Sequence, residues 1–216
     1  METNIQSQFQ KASLEQLQAL RPQDIEIFKN KPVPPNYTVI ARPDEQTKQS
    51  LETIIGELKK LEPDQFYYPL DRLHLTLIGN LPLSTDVDQL INTVNEELQK
   101  TTISFQLKGL GSNARCLSTS AYPQKFSLHT FREHIRQAAG AHGDDYSSFL
   151  ASYEYVGWIN FLRYYRSPSQ EFLDCLYTHR ETVFGEMKPA SVQIYRNTSQ
   201  TIDPENSELL HEFLFS

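Results

Sequence analysis

The sequence predicts an α+β fold, and three patterns carry that reading. Amphipathic helical stretches interleave with short β-rich ones along the chain. Two of the β-rich stretches lie close enough to form a hairpin, which excludes a purely parallel sheet. Each half of the chain also shows a strand beside a helix of similar character.

Taken in order, residues 1–35 read as an N-terminal helical extension and 36–216 as the domain proper. The extension is Gln-rich, and "SLEQLQAL" offers Ser13 as N-cap with Gln16 as its capping-box partner. Pro32, Pro34 and Pro35 then fall close together and disfavour helix and strand alike. "YTVIARP", Tyr37 to Pro43, is a β-branched strand closed by a proline. In the next stretch Leu51, Ile54, Ile55, Leu58 and Leu61 recur at helical spacing.

"DRLHLTLIGN", Asp71 to Asn80, sets Leu73, Leu75 and Leu77 against His74, Thr76 and Ile78, the alternation of a half-buried strand. "STDVDQLINTVNEELQK" is a second amphipathic helix with Ser84 or Thr85 as its cap. "ISFQLKGLG" and "RCLSTSAYP" make a hairpin across the turn "GLGSN". "FSLHTFREHIRQAAGAHG" is helical up to its glycines, and the loop "DDYSSFLASYE" follows. "YVGWINFLRYY" reads as a buried strand, and "SPSQEFLDCLYTHRETVF" as a helix with Pro168 in its first turn. "ASVQIYRNT" and "ELLHEFLF" close the chain as paired strands.

Composition narrows the function. The 216 residues are 38% apolar, enough for one substantial domain or two fused lobes. Net charge is −7 and no long basic tract occurs, which argues against duplex nucleic acid but leaves room for a pocket holding one phosphate. Cys116 and Cys175 have no framework spacing and read as reduced thiols of a cytoplasmic protein. No signal peptide is visible, and no apolar run approaches the ~20 residues that cross a bilayer. No metal-ligand motif is present, so neither metal nor cofactor is expected. A monomer is expected.

The chemistry centres on His74 and Thr76, an imidazole and a hydroxyl two apart on one strand face. "LHLTLIGN" resembles the first signature of the two-histidine (2H) phosphoesterases, which include 2'-5' RNA ligase-like proteins and cyclic phosphodiesterases. The likeness extends over most of residues 37 to 216, through "YTVIARP", "FQLKGLGSN" and the final strands. It implies a bilobal, pseudo-symmetric domain, with two antiparallel or mixed sheets around a central cleft and helices outside. In that family each lobe supplies one His-x-Thr/Ser. One imidazole takes a proton from water or a hydroxyl, and the other protonates the leaving ribose oxygen. The hydroxyls bind phosphoryl oxygens.

The family's second signature has the form Gly-His-x-Thr-Leu-Ala-Arg, and this chain offers "VGWINFLRY". Gly157, Ile159, Phe161, Leu162 and Arg163 fit that strand, but Trp158 stands at the histidine position and Asn160 at the threonine position. No other histidine substitutes. His129 and His134 fall on a helix, His142 in a Gly-rich loop, His179 on a later helix and His211 in the last strand.

By this resemblance the catalytic candidates are His74 and Thr76. The substrate-binding candidates are Trp158, Asn160, Arg163, Tyr37 and Tyr67. Strict alternation puts Arg163 on the face opposite Trp158. Arg42, Arg115 and Arg196 are weaker basic candidates, and Tyr155 a further aromatic one. Trp158 carries an indole N–H donor and cannot exchange protons near neutral pH, though it can stack on a base. Three readings stay open: an RNA-end or cyclic phosphodiesterase retaining one catalytic histidine, a pseudoenzyme that binds a nucleotide or RNA terminus, and an unrelated α+β interaction protein.

Overall fold

A computed structural model of the chain describes residues 32–113, 115–141, 154–199 and 207–215. The helical extension expected over residues 1–35 falls almost wholly outside the described residues, as do His142 and most of the loop after it. In chain order the elements are β1 (Pro32–Pro43), α1 (Glu45–Leu61), β2 (Phe66–Tyr67), a 3-10 turn (Leu70–Arg72), β3 (Leu75–Leu81) and α2 (Val87–Lys100). There follow β4 (Ser104–Ser112), β5 (Cys116–Gln124), α3 (Leu128–Ala138), β6 (Gly157–Arg163), α4 (Gln170–Thr178), β7 (Val183–Met187), β8 (Pro189–Ser199) and β9 (Ser207–Leu214).

Each of the helices α1 to α4 starts at a side-chain oxygen that accepts from an otherwise unpaired backbone N–H. The caps are Asp44 to Thr47 N, Asp86 to Gln89 N, Ser127 to Thr130 N and Ser169 to Phe172 N. Two sequence expectations are corrected here. Asp86 caps α2 rather than Ser84 or Thr85, since the Thr85 hydroxyl donates instead to the Ala139 carbonyl at 3.2 Å. Pro168 lies before the Ser169 cap, not inside the first turn of α4.

All strand pairs are antiparallel, in the order β7-β4-β5-β6-β3-β1-β8-β9 with β2 beside β6. The two expected sheets are therefore two four-stranded halves of one sheet, β9-β8-β1-β3 and β6-β5-β4-β7. They join at one residue pair, Leu75 with Ile159. β1 runs back to Pro32, further than the prolines suggested. Its first residues pair with β8 through an irregular register, and its pairing with β3 begins at Tyr37. Such one-sided, irregular pairing tolerates missing N–H donors. β7 is an edge strand where the sequence reading continued a helix.

The halves match in detail. Between β1 and β3 the register passes from Ile40–Thr76 to Val39–Ile78, leaving Leu77 as a bulge. Between β5 and β6 it passes from Ser118–Asn160 to Leu117–Leu162, leaving Phe161 as a bulge. Each bulge comes directly after the polar residue of its motif. His74 thus corresponds to Trp158, Thr76 to Asn160 and Gly79 to Arg163. The pseudo-twofold passes through the Leu75–Ile159 pair.

One face of this sheet is the core. Val39, Ala41, Leu75, Leu77, Leu117, Ile159, Phe161, Val192 and Ile194 pack in a single cluster with Leu51, Ile55, Leu58, Leu90, Val94, Phe131, Ile135, Phe172 and Leu176 of the helices. Full burial of such side chains stabilises by about 1.5–3 kcal/mol each. The opposite face is polar, and carries Thr38, Ser118, Ser120, Ser191 and Asn197, all buried.

The seam between the halves is tight at Gly157. A Cβ there would meet Leu75 Cδ1 at 2.9 Å and its Cγ at 3.1 Å. Leu75 is fully buried and cannot swing aside. Gly157→Ala is therefore expected to cost about 1–2 kcal/mol in chemical denaturation. An unchanged unfolding midpoint would show that the halves can part without cost.

Candidate functional site

The two motif strands meet at their central residues, so antiparallel alternation brings both pairs of flanking side chains to the polar face. His74 and Thr76 come from β3 and its approach, Trp158 and Asn160 from β6. Counting outward from Leu75–Ile159, His74 lies opposite Asn160 and Thr76 opposite Trp158. Diagonal neighbours on such a face, as His74 and Trp158 are, typically stand about 7–8 Å apart. All four residues keep partial exposure, although the His74 ring itself is largely withdrawn from solvent.

His74 leaves the 3-10 turn with its ring already oriented. Its Nδ1 lies 3.0 Å from the Arg72 carbonyl oxygen. A carbonyl only accepts, so Nδ1 carries the proton and Nε2 keeps a free lone pair. Burial, with the Arg42 guanidinium adding to it, pushes the imidazole down to about 4, although the Arg72 carbonyl opposes that change. The ring is neutral at pH 7 and suited to accepting a proton.

Thr76 is fixed from the core side. Buried Arg132 of α3 donates from Nε to the Leu77 carbonyl at 2.6 Å and from a terminal nitrogen to the Thr76 carbonyl at 3.4 Å. A bulge frees such carbonyls from the ladder, and the guanidinium satisfies them.

On β6 the same face is uncharged until its far end. Trp158 packs with Tyr122 and Val156 in a small cluster separate from the main core. Asn160 has its Oδ1 buried with no hydrogen-bond partner among the described residues, which leaves the Nδ2 donor as its polar atom for the face. Arg163 corrects the alternation argument. The Phe161 bulge shifts the strand by one residue and returns Arg163 to the face of Trp158 and Asn160, where its Nε donates to the Tyr68 hydroxyl.

The other sequence candidates lie elsewhere. Tyr37 packs into the main core at 8% exposure. Tyr67 opposes Leu162 on the core side, donates its hydroxyl to the Glu62 carbonyl at 3.1 Å, and has its phenol pushed up by burial. Tyr155 stacks on His129 with ring centres 4.8 Å apart. Arg196 faces Glu208 at 3.9 Å. Sequence reasoning passed over Tyr68, next to the Tyr67 it chose, and undervalued Arg42.

Among the described residues no cluster of His, Cys, Asp or Glu is placed to hold a metal ion, and no helix is long and apolar enough to cross a membrane. Cys116 and Cys175 are unpaired.

The fold, an antiparallel sheet of two pseudo-equivalent halves with one motif strand from each meeting at the centre, matches that of E. coli LigT. Solved structures share it across nearly their whole length. E. coli LigT complexed with ATP is 12% identical, covers 86% of this chain and 99% of its own, and superposes with a TM-score of 0.50. The complex of E. coli LigT with NADP+ gives 12%, 85%, 99% and 0.51. The protein TT0787 of Thermus thermophilus is 14% identical, covers 83% and 97%, and reaches 0.53. No protein-family model and no curated protein matches the sequence.

Proposed function

We propose that this chain binds a nucleotide or RNA end bearing a phosphodiester, such as a 2',3'-cyclic phosphate or a 2'-5' linkage, with His74 as the one acid–base group acting on it. The observation that carries this reading is the Leu75–Ile159 pair, which sets a neutral imidazole across the seam from an indole and an amide. The LigT complexes with ATP and NADP+ support a nucleotide as the class of ligand for the fold.

In this reading His74 Nε2 takes a proton from the attacking water or hydroxyl. The Thr76 hydroxyl and Asn160 Nδ2 donate to phosphoryl oxygens, where charge builds in the transition state. Arg163, held by Tyr68, supplies positive charge at the end of the face. Trp158 offers its indole to a base. Among the described residues no imidazole stands opposite His74 to protonate the leaving oxygen, and such a lack typically slows this chemistry by about 10²–10⁴. A second reading, a pseudoenzyme that binds without turnover, rests on the same substitution of Trp158.

Trp158 is the sole tryptophan of the chain, so its emission reports directly on the site. Titration with 2',3'-cyclic AMP is expected to change that emission, and His74→Ala is expected to weaken the response and abolish any hydrolysis. Binding without hydrolysis in the unaltered protein selects the pseudoenzyme reading. An emission unmoved by cyclic and 2'-5' linked nucleotides alike would overturn both.

A further inference from the structure

We infer that Arg42 is the positioning residue of the His74 site: its guanidinium pins the turn whose carbonyl orients the imidazole. This rests on the reading of His74 as the acid–base group, but concerns the ring itself. Arg42 Nη1 donates to the Asp71 and Leu73 carbonyls, both at 3.3 Å. Between those two lies the Arg72 carbonyl, which accepts from His74 Nδ1. Of three successive carbonyls, the outer two are held by Arg42 and the middle one by the histidine.

The guanidinium is itself fixed from β8. Its Nε donates to Gln193 Oε1 at 2.8 Å, and Nη2 to the Tyr195 hydroxyl at 3.2 Å. Tyr195 donates in turn to Gln193 Oε1 at 3.0 Å, and Gln193 Nε2 to Glu212 Oε1 of β9 at 2.6 Å. A planar fork with five donors can span two strands and a turn at once, whereas a lysine ammonium acts as a point charge and cannot. The corresponding place in the other half, opposite Trp158, is Ser120. The device belongs to the histidine half alone.

Among the described residues, the charged and titratable groups around His74 are Arg42 from β1, Asp71 and Arg72 in the turn, Tyr195 from β8, and Glu212 reached through Gln193. β6 presents the uncharged Trp158 and Asn160. Arg42 acts directly on the charge of the ring.

The test is histidine-labelled NMR of the full chain, with the His74 signal assigned by His74→Gln. The unaltered protein is expected to show one tautomer, protonated at Nδ1, and a titration midpoint well below the ordinary histidine range. Arg42→Gln is expected to mix the tautomers and to shift the midpoint, since it removes the guanidinium charge that lowers the ring's value and loosens the Arg72 carbonyl that raises it. Arg42→Lys keeps the charge without the fork, so it should mix the tautomers while holding the midpoint lower than Arg42→Gln does. Tyr195→Phe loosens one anchor and should give a smaller change in tautomer, which keeps the test open if the arginine variants do not fold. A single Nδ1–H tautomer and unmoved midpoint in Arg42→Gln would overturn the proposal, even where phosphodiester binding proves to depend on His74. Tautomer mixing in Arg42→Gln upholds the positioning role, even where nucleotide binding ignores His74 and the functional reading falls.

Discussion

Trp158→His combined with Asn160→Thr is expected to raise hydrolysis of a 2',3'-cyclic nucleotide by about 10²–10⁴, the usual worth of one positioned acid–base group. The backbone for the missing half is already in place. β6 bulges at Phe161 as β3 does at Leu77, and the two motifs meet at Leu75–Ile159. His74 is oriented by the carbonyl two residues before it. A histidine at 158 would find the Val156 carbonyl at the same offset. One ring then removes the proton from water as the P–O bond to water forms. The other delivers a proton to the departing ribose oxygen as its bond to phosphorus breaks.

The exchange has a cost that the assay must separate. Trp158 packs on Tyr122 and Val156, and a smaller ring leaves part of that contact empty. Base affinity should weaken while kcat rises, so the two effects appear in different constants. Adding His74→Ala to the double variant should return the rate to background. No gain in the double variant, with its fold intact by circular dichroism, would mean that the loss of a second histidine is not what limits this site.

Much of the pairing was legible because His74 and Thr76 interrupt a run of leucines, and "VGWINFLRY" repeats that frame. What stayed hidden was set by contacts between strands. The bulge at Phe161 has no local marker, such as a glycine or a polar intrusion, so alternation put Arg163 on the wrong face. In "YTVIARP" both Val39 and Ile40 are fully buried, and the strand's core side could not be read from its apolar residues. Nothing in that run of residues marks Tyr37, a candidate for stacking on a base, as a core residue. β7 is short and carries Gly185 at φ +117, so nothing in "VFGEM" alternates. Arg42 depends on a turn some thirty residues away, which no pattern around position 42 reports.

Acidification from pH 7 to pH 5 is expected to cost the folded protein about 2 kcal/mol through His74 alone. The sign follows from the ring's burial. Unfolded, the imidazole takes a proton below its ordinary value of about 6.5. Folded, it stays neutral down to about 4. Stability from this group is complete above pH 6.5, because both states are then neutral. It is lost as pH falls, because only the unfolded state gains the proton, and the loss levels off near pH 4 at up to about 3 kcal/mol. Glu97 and Glu212, both held below the usual carboxylate range in the fold, lose their contributions in a lower window, under about pH 4.5. Urea unfolding of the unaltered protein and of His74→Gln at pH 7, 6 and 5 separates the two windows, since the variant lacks the steep upper part. A phosphodiester bound on this face would place negative charge beside the ring and favour its protonated form. Saturating ligand should therefore reduce the loss, and binding itself should take up protons as pH drops toward 5. A stability difference between the two proteins that does not change from pH 7 to pH 5 would mean that His74 is not held neutral, and Nε2 would then be no base at all in the lower part of that range.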